Sequence, residues 1–363
     1  MRPIQPVVLA SDDRYFTEYG MSRGSVHPFE DGMRTDGSPG SYEWWYFDAL
    51  LDDGTKMVVA FYTKDFVTPG SPMKPLVTID LDLLDGRSLH RRATFDAASF
   101  AASRERCDVG IADNRFVGDL TEYRITATVE DVSVDLTLRS RCEPWRPQTG
   151  RLLYGDREDK YFAWLPSVPV GDVTATYRVE GEEHRGVRGT GYHDHNWGNT
   201  SLLPLINNWY WGRGSLGPFT FISAYIVCEK QYGYLASPVF MLARDGVVIA
   251  GDGDKVTFSK DGIEHDEITG KPVANEVRFE YRDGPTRYVL TYNREETILR
   301  SKLADLAPRS RRMLAKLAGF DGAYLRFSGS LEIEHFEHDE RVEHFEGDAL
   351  WELMYFGRHA HEE

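Results

Sequence analysis

Apolar and polar positions alternate along most of the chain, in short runs punctuated by turn-forming pairs. In EWWYFDALLDDGTKMVVAFYT (residues 43 to 63), two such runs flank Asp53-Gly54, the pattern of two half-buried strands joined by a tight hairpin. LVTIDLDLLDGRSLHRRATF repeats the arrangement around Asp85-Gly86. EYRITATVEDVSVDLTLRS does so around Glu130-Asp131: Tyr123, Ile125, Ala127 and Val129 form one face, answered by Val132, Val134, Leu136 and Leu138. A second series starts at WYWGRGSLGPFTFISAYIVCEK, continues through turns at Asp245-Gly246, Asp252-Gly253 and Asp283-Gly284, and closes with AYLRFSGSLEIEHFEHDERVEHFEGDALWELMYFG. Regular hairpins of this kind predict antiparallel meanders that roll into sandwiches or barrels.

Two segments depart from period two. The first forty or so residues are rich in Gly, Pro, Asp and Ser and read as an irregular lead-in. EETILRSKLADLAPRSRRMLAKLAGF (295 to 320) places Ile298, Leu299, Leu303 and Leu306, then Met313, Leu314 and Leu317, at helical spacing. Pro308 should kink or split that helix, the one helical segment expected. At 363 residues the chain exceeds the usual size of a single core, so two β-domains are expected, 1–203 and 204–363. The fold class is therefore all-β: two antiparallel sandwich or barrel domains with one helix near the C-terminus.

Composition narrows the function. A net charge of -16 without a compensating Lys/Arg cluster argues against a nucleic-acid partner. The apolar stretch Val7 to Ala10 is too short for a signal sequence and no later run approaches a membrane span, so a soluble cytoplasmic protein is expected. Three cysteines without paired spacing indicate neither a disulfide framework nor a cysteine zinc site. Phosphate-binding glycine loops, the GxSxG elbow and HExxH are all missing. Aromatics, at 13%, are plentiful and suit a pocket for an apolar ligand.

The densest chemistry lies in GTGYHDHNWGN, residues 189 to 199. In an extended chain Tyr192, Asp194 and Asn196 share one face, and His193, His195 and Trp197 the other. A carboxyl in an aromatic cavity has its charged form disfavoured and can act as a general acid near neutral pH, with a tyrosine as relay. The alternative is that Asp194 caps a turn and Asn196 adopts a left-handed conformation before Gly198. The two histidines invite a metal, but no third ligand is identifiable, so none is assigned; they are otherwise braces of the segment or assistants in proton transfer. In YEWWYFDA, Glu43, Trp45 and Phe47 share one face and Trp44, Tyr46 and Asp48 the other. Trp164, Trp209 and Trp211 supply further indoles for a cavity, although core filling is the plain reading of any one ring.

EWWYFDALLDDG and GTGYHDHNWGNTSLLPLINNWYWGRG resemble, in this order, the two signature regions of the carotenoid 1,2-hydratase (hydroxyneurosporene synthase) superfamily, a lipocalin-like group that includes Diels-Alder cyclases of fungal polyketides. The resemblance runs from about residue 40 to the C-terminus. It implies two calycin-type β-domains, a largely apolar pocket near their interface and no organic cofactor. It also implies an acid/base role for Tyr192 and Asp194, with aromatic neighbours including Trp164, Trp197, Trp209 and Trp211 stabilising a carbocation. Two departures stand out: histidines flank Asp194, and the hydratases' His-x-Trp pair appears as Phe162-Ala163-Trp164.

Three functions follow. The first is a cofactor-independent lyase or isomerase acting on a hydrophobic isoprenoid or polyketide-like molecule, with Asp194, Tyr192, His193 and His195 as catalytic candidates. Asn196, Trp197, Trp164, Trp209, Trp211, Trp45, Tyr46 and Glu43 are its substrate-binding candidates. The second is a pericyclase that folds a polyene and polarises a carbonyl. The third is a lipocalin-like carrier without chemistry. Oligomeric state and substrate identity are not readable from the sequence.

Overall fold

The computed structural model describes residues 3–66, 68–302 and 321–357, which are mostly extended. Contacts divide the chain after Ser201: Val8–Ser201 form one compact unit, and the residues from Leu202 onward, with the first few of the chain, form the other.

The strands of the first unit are β1 (Val7–Leu9), β2 (Tyr42–Leu51), β3 (Lys56–Tyr62), β4 (Leu76–Asp82), β5 (Ser88–Thr94), β6 (Phe100–Ala102), β7 (Asp108–Ile111), β8 (Asn114–Gly118), β9 (Glu122–Val129), β10 (Val132–Ser140), β11 (Arg151–Tyr154), β12 (Lys160–Val179) and β13 (Glu182–Gly198). They form one sheet in the order β5-β4-β3-β2-β13-β12-β10-β9-β8-β7-β6, with β11 branching from β12 and carrying β1. The sheet curls until β4 and β5 reach β9. Its concave face holds Phe47, Val59, Ile79, Ile125, Leu136 and their neighbours in one continuous core. Both faces of the Glu130-Asp131 hairpin are as the alternation predicts, with Val129 opposite Val132 and Leu136 opposite Ile125. Each such fully buried aliphatic or aromatic side chain contributes roughly 1.5–3 kcal/mol through loss of hydrated surface.

The second unit carries β14 (Ile206–Leu216), β15 (Phe219–Cys228), β16 (Ala236–Arg244), β17 (Val247–Ala250), β18 (Val256–Asp261), β19 (Glu264–His265), β20 (Pro272–Val273), β21 (Glu276–Asp283), β22 (Thr286–Lys302), β23 (Ala323–Glu337) and β24 (Glu340–Tyr355). Nine of them form a sheet in the order β17-β16-β15-β14-β24-β23-β22-β21-β18, and β19 pairs with β20. This sheet also curls, bringing β16 back against β18 around a core of Phe240, Phe279, Leu290, Phe327 and Trp351. The fold is thus all-β, antiparallel and lipocalin-like. Among the described residues no helix is long and apolar enough to cross a membrane.

Two expectations change. The lead-in contains a helix, α1 (Asp13–Tyr19), which ends on Gly20 in the left-handed conformation at φ 65° and buries Tyr15 and Phe16. Ile298 and Leu299 lie on β22, while the rest of the expected helix, 303 to 320, lies outside the described residues. Register shifts between Arg294 and Glu296 and between Thr297 and Leu299 break the alternation there, which is why the strand mimics helical spacing. The turn expected at Asp252-Gly253 is a 3-10 turn linking β17 to β18, which pair with β16 and β21 instead of with each other.

Candidate active site

Strand β13 runs antiparallel between β2 and β12, so the motif from Gly189 to Gly198 sits mid-sheet rather than in a loop. The register sets Asp194 opposite Tyr46 on one side, and Asn196 opposite Trp164 on the other. Two motif glycines are required by close approach: a Cβ on Gly191 would lie 2.6 Å from Val173 Cγ2, and one on Gly198 would lie 2.5 Å from the Tyr42 hydroxyl.

Tyr192, Asp194 and Asn196 share the face turned away from the unit's core. The Trp164 indole Nε1–H donates to Asp194 Oδ2 at 2.8 Å, and the Tyr192 hydroxyl donates to the same oxygen at 2.9 Å. Asn196 Nδ2 donates to Oδ1 at 2.8 Å. The Trp145 ring stands edge-on to Trp164, and Tyr46 edge-on to Tyr192. Asp194 is 8% exposed. Burial pushes its carboxyl above the ordinary carboxylate range, and Asp48 adds to the rise; the Trp164 and Tyr192 hydrogen bonds and the charge of His193 oppose it. Beside this group the Tyr46 hydroxyl donates to Asp48 Oδ2 at 2.9 Å.

The opposite face is sealed. His193 and His195 are both 0% exposed. His193 Nδ1–H donates to the Tyr46 carbonyl at 2.8 Å, and its Nε2 lies 3.1 Å from Asp31 Oδ2, which also receives the Tyr123 hydroxyl at 2.5 Å. His195 Nε2 lies 2.8 Å from Glu43 Oε1, and its ring stacks on Trp45 and contacts Trp197. Glu43 in turn accepts the backbone N–H groups of Arg34 and Thr35 and the Thr35 hydroxyl. Trp45 Nε1–H donates to the Asp31 carbonyl. The histidines therefore fasten residues 31 to 35 to the sheet, and Glu43 and Trp45 face this sealed network. Glu43, Trp45, His193 and His195 are all 0% exposed, as is Tyr192 on the other face.

Asp31, Cys107 and His193 bring an oxygen, a sulfur and a nitrogen within 4.8 Å of one another, the one such group of potential metal ligands among the described residues. His193 and Asp31 already engage each other, Cys107 Sγ–H points at the Phe116 carbonyl, and burial pushes the thiol well above its usual range. Burial also acts to raise the Asp31 carboxyl, but the charges of His193 and His195 and the bonds from His193 and Tyr123 prevail and hold it below the ordinary value. The unfolded chain therefore takes up this proton first as pH falls. The stability due to Asp31 is complete above its unfolded value near 3.8 and is lost as pH drops through the lower folded value. Asp31→Asn is expected to flatten the fall of melting temperature between neutral pH and about pH 2. An unchanged acid limb in thermal melts would refute this role.

Of the candidate residues, Asp194, Tyr192, Asn196, Trp164 and Tyr46 meet on one face. Trp197 packs against His195 with Ala163 and Leu165 near by. Trp209 and Trp211 belong to β14 of the second unit, where Trp209 Nε1–H donates to Glu352. Asp31, hydrogen-bonded to His193 and 3.5 Å from His195 Nδ1, escaped the sequence reading because nothing local marks a partner 162 residues from His193.

Residues 36–300 match the family model described as Diels-Alderase-like. The chain is 28% identical over 207 residues to a hydroxyneurosporene dehydrogenase of Chlorobaculum tepidum, covering 48% of this chain and 54% of that protein. It is 28% identical over 199 residues to the quinolone epoxide rearrangement protein asqO of Emericella nidulans, covering 50% and 53%. It thus spans about half the length of these curated relatives. In three dimensions it is similar to CghA, determined with Sch210972, at a TM-score of 0.57 and 15% identity, covering 98% of this chain and 99% of that one.

Proposed function

Because the chain belongs to the Diels-Alderase-like family, we propose that it is a cofactor-independent lyase or isomerase that uses Asp194 as a general acid on a hydrophobic isoprenoid or polyketide-like small molecule. The observation that carries this reading is the Asp194 cluster: a buried carboxyl, raised by burial, whose two oxygens accept three hydrogen bonds from Trp164, Tyr192 and Asn196.

Burial and donors act at different moments. Burial favours the neutral acid before reaction. Once Asp194 gives its proton to an alkene carbon or an epoxide oxygen, the three donors stabilise the carboxylate left behind, where charge develops. The aromatic faces around it stabilise the cation formed on the substrate. The carboxylate then recovers a proton from an added water, completing hydration, or from a neighbouring C–H, completing isomerisation, so the protein returns to its starting state. The Emericella relative is named for a quinolone epoxide rearrangement, and epoxide opening is a step that a general acid can promote, which supports this reading.

The pericyclase reading survives in altered form. Asn196, Tyr192 and the Trp164 indole all donate to Asp194, so a polarising hydrogen bond to a substrate carbonyl would come from the protonated carboxyl itself.

Incubation in D2O with a panel of acyclic isoprenoids, epoxides and linear polyene ketones separates the two. General acid catalysis is expected to place deuterium on a product carbon in the hydration of an alkene, and the rate should fall as pH rises through the Asp194 titration, because the reactive form is the protonated one. A cyclised product free of deuterium, formed at a rate independent of pH, would favour the pericyclase. Recovery of every compound unchanged from a tight complex would leave only the carrier.

A further inference from the structure

Strand β11 carries an arginine that is surrounded by rings. Arg151 pairs with Ala163 on β12, and Ala163 pairs with Trp197 on β13, so the three stand in one row on the face of the histidines. The alanine has little bulk of its own and so sets a guanidinium beside an indole. Leu153, on the same face of β11, packs with Tyr15 and docks helix α1 there. Tyr19, stacked on Tyr15 from the next turn of that helix, is thereby carried over Arg151. The guanidinium centre lies 3.9 Å from the Tyr19 ring centre, 5.0 Å from that of Tyr161 and 5.9 Å from that of Trp197. Arg151, Tyr19 and Tyr161 are half-buried, so the row meets solvent at this end, while Trp197 is buried.

Rings cover the flat faces of a guanidinium and leave unused its N–H bonds, which lie in its plane. Among the described residues, Arg151 Nε–H and Trp197 Nε1–H are both buried and neither meets an acceptor. Neighbouring donors of this kind, one of them charged, are costly to bury unless an anion completes them. We propose that Arg151 and Trp197 form a binding site for the carboxylate of a small organic acid, which accepts from Arg151 Nε–H and Trp197 Nε1–H while the Tyr19 and Tyr161 rings hold the guanidinium in place. A planar carboxylate suits the arginine fork, whose Nε–H and one Nη–H run parallel. The surrounding charge favours a ligand with a single negative charge. Burial pushes the Tyr19 and Tyr161 phenols above their ordinary range; Arg151 opposes the rise, while Glu18 and Glu158 add to it at Tyr19, and Glu43 and Asp36 at Tyr161. These carboxylates repel a phosphate dianion more strongly than a monoanion. Burial and the charges of Arg104 and Arg151 hold the Arg34 guanidinium below its ordinary range, against the pull of Glu43, so one added negative charge also relieves Arg34. The site lies across the sheet from Asp194 and does not rest on the reaction assigned to that residue.

Acetate and benzoate are the probes, with benzamide as the uncharged counterpart and phosphate, mostly a dianion above neutral pH, as the doubly charged one. In protein with isotope-labelled tryptophan, the Trp197 indole N–H resonance is identified by its absence from Trp197→Phe. That resonance is expected to move downfield and saturably with acetate or benzoate, at a dissociation constant of about a millimolar or below. Benzamide should leave it in place, and phosphate should bind more weakly than the better carboxylate. Arg151→Lys keeps the charge but not the planar fork, so it should weaken binding about tenfold or more. Arg151→Met, checked for native circular dichroism, should abolish the response; if that variant does not fold, Arg151→Lys decides. Turnover plays no part in the readout, so a failed Asp194 mechanism leaves the test intact. No saturable shift with either carboxylate, an equal shift with benzamide, tighter binding of phosphate, unweakened binding in Arg151→Lys, or a response retained in Arg151→Met would each overturn the proposal.

Discussion

Asp194→Asn is expected to lower turnover by about 10²- to 10⁴-fold while leaving the fold in place. The asparagine is nearly isosteric, yet it has no acidic proton, and its amide offers one acceptor oxygen where the carboxyl offers two. Trp164 and Tyr192 share one oxygen and Asn196 takes the other, so one side of this cluster loses its acceptor in the variant. A modest change in melting temperature is therefore expected beside a large loss of rate. Substrate affinity should change by less than about tenfold, since an apolar ligand is held chiefly by buried area rather than by this one group. Steady-state kinetics on a converted compound, with melts of the same preparation, check both. Retention of full turnover would remove Asp194 from the mechanism.

Glu43→Ala is expected to be the most damaging single change to stability, by about 3–5 kcal/mol, since it removes one member of a buried charged network and strands the rest. The side chain is 0% exposed and satisfies His195, two backbone N–H groups and the Thr35 hydroxyl. Each stranded donor costs about 1–3 kcal/mol when water cannot reach it. Denaturant unfolding of the variant against the wild type measures the loss, and a shift below about 1 kcal/mol would show that the network relaxes around the gap. Glu43→Gln tests the same point more gently, because the amide keeps one acceptor for the backbone of residues 34 and 35.

The contrast between these two carboxyls explains how much could be read from the sequence. Alternation assigned Tyr192, Asp194 and Asn196 to one face of β13 and His193, His195 and Trp197 to the other, and likewise separated Glu43 and Trp45 from Tyr46 on β2. Period two is a local property, so it was legible. Which face meets the core is decided by the partner strands: Glu43, expected at a ligand, stands with the histidines in the interior. Helix α1 carried a signal that was passed over, an Asp12 start and a Gly20 stop around Tyr15, Phe16 and Tyr19. The misread helix near residue 298 shows the opposite failure, in which two bulges imitate a different period. Glu352, which accepts from the Trp209 indole and the Tyr324 hydroxyl, carries no local mark in the sequence, because these partners come from β14 and β23.

Strand β13 carries the Asp194 cluster on one side and the fastening of residues 31 to 35 on the other. Slipping its pairing by one residue would bring Asp194 into the apolar interior and expel both histidines, so an error of register is punished in stability before it is felt in rate. The two faces are thus tied together: a chain that has not closed the histidine and carboxylate contacts does not assemble the Asp194 cluster in this register. In the laboratory this predicts that any one-residue insertion or deletion between Gly189 and Gly198 lowers the melting temperature more than a single replacement on the Asp194 face does. Libraries meant to alter selectivity should keep the length of this strand fixed and vary only what it displays.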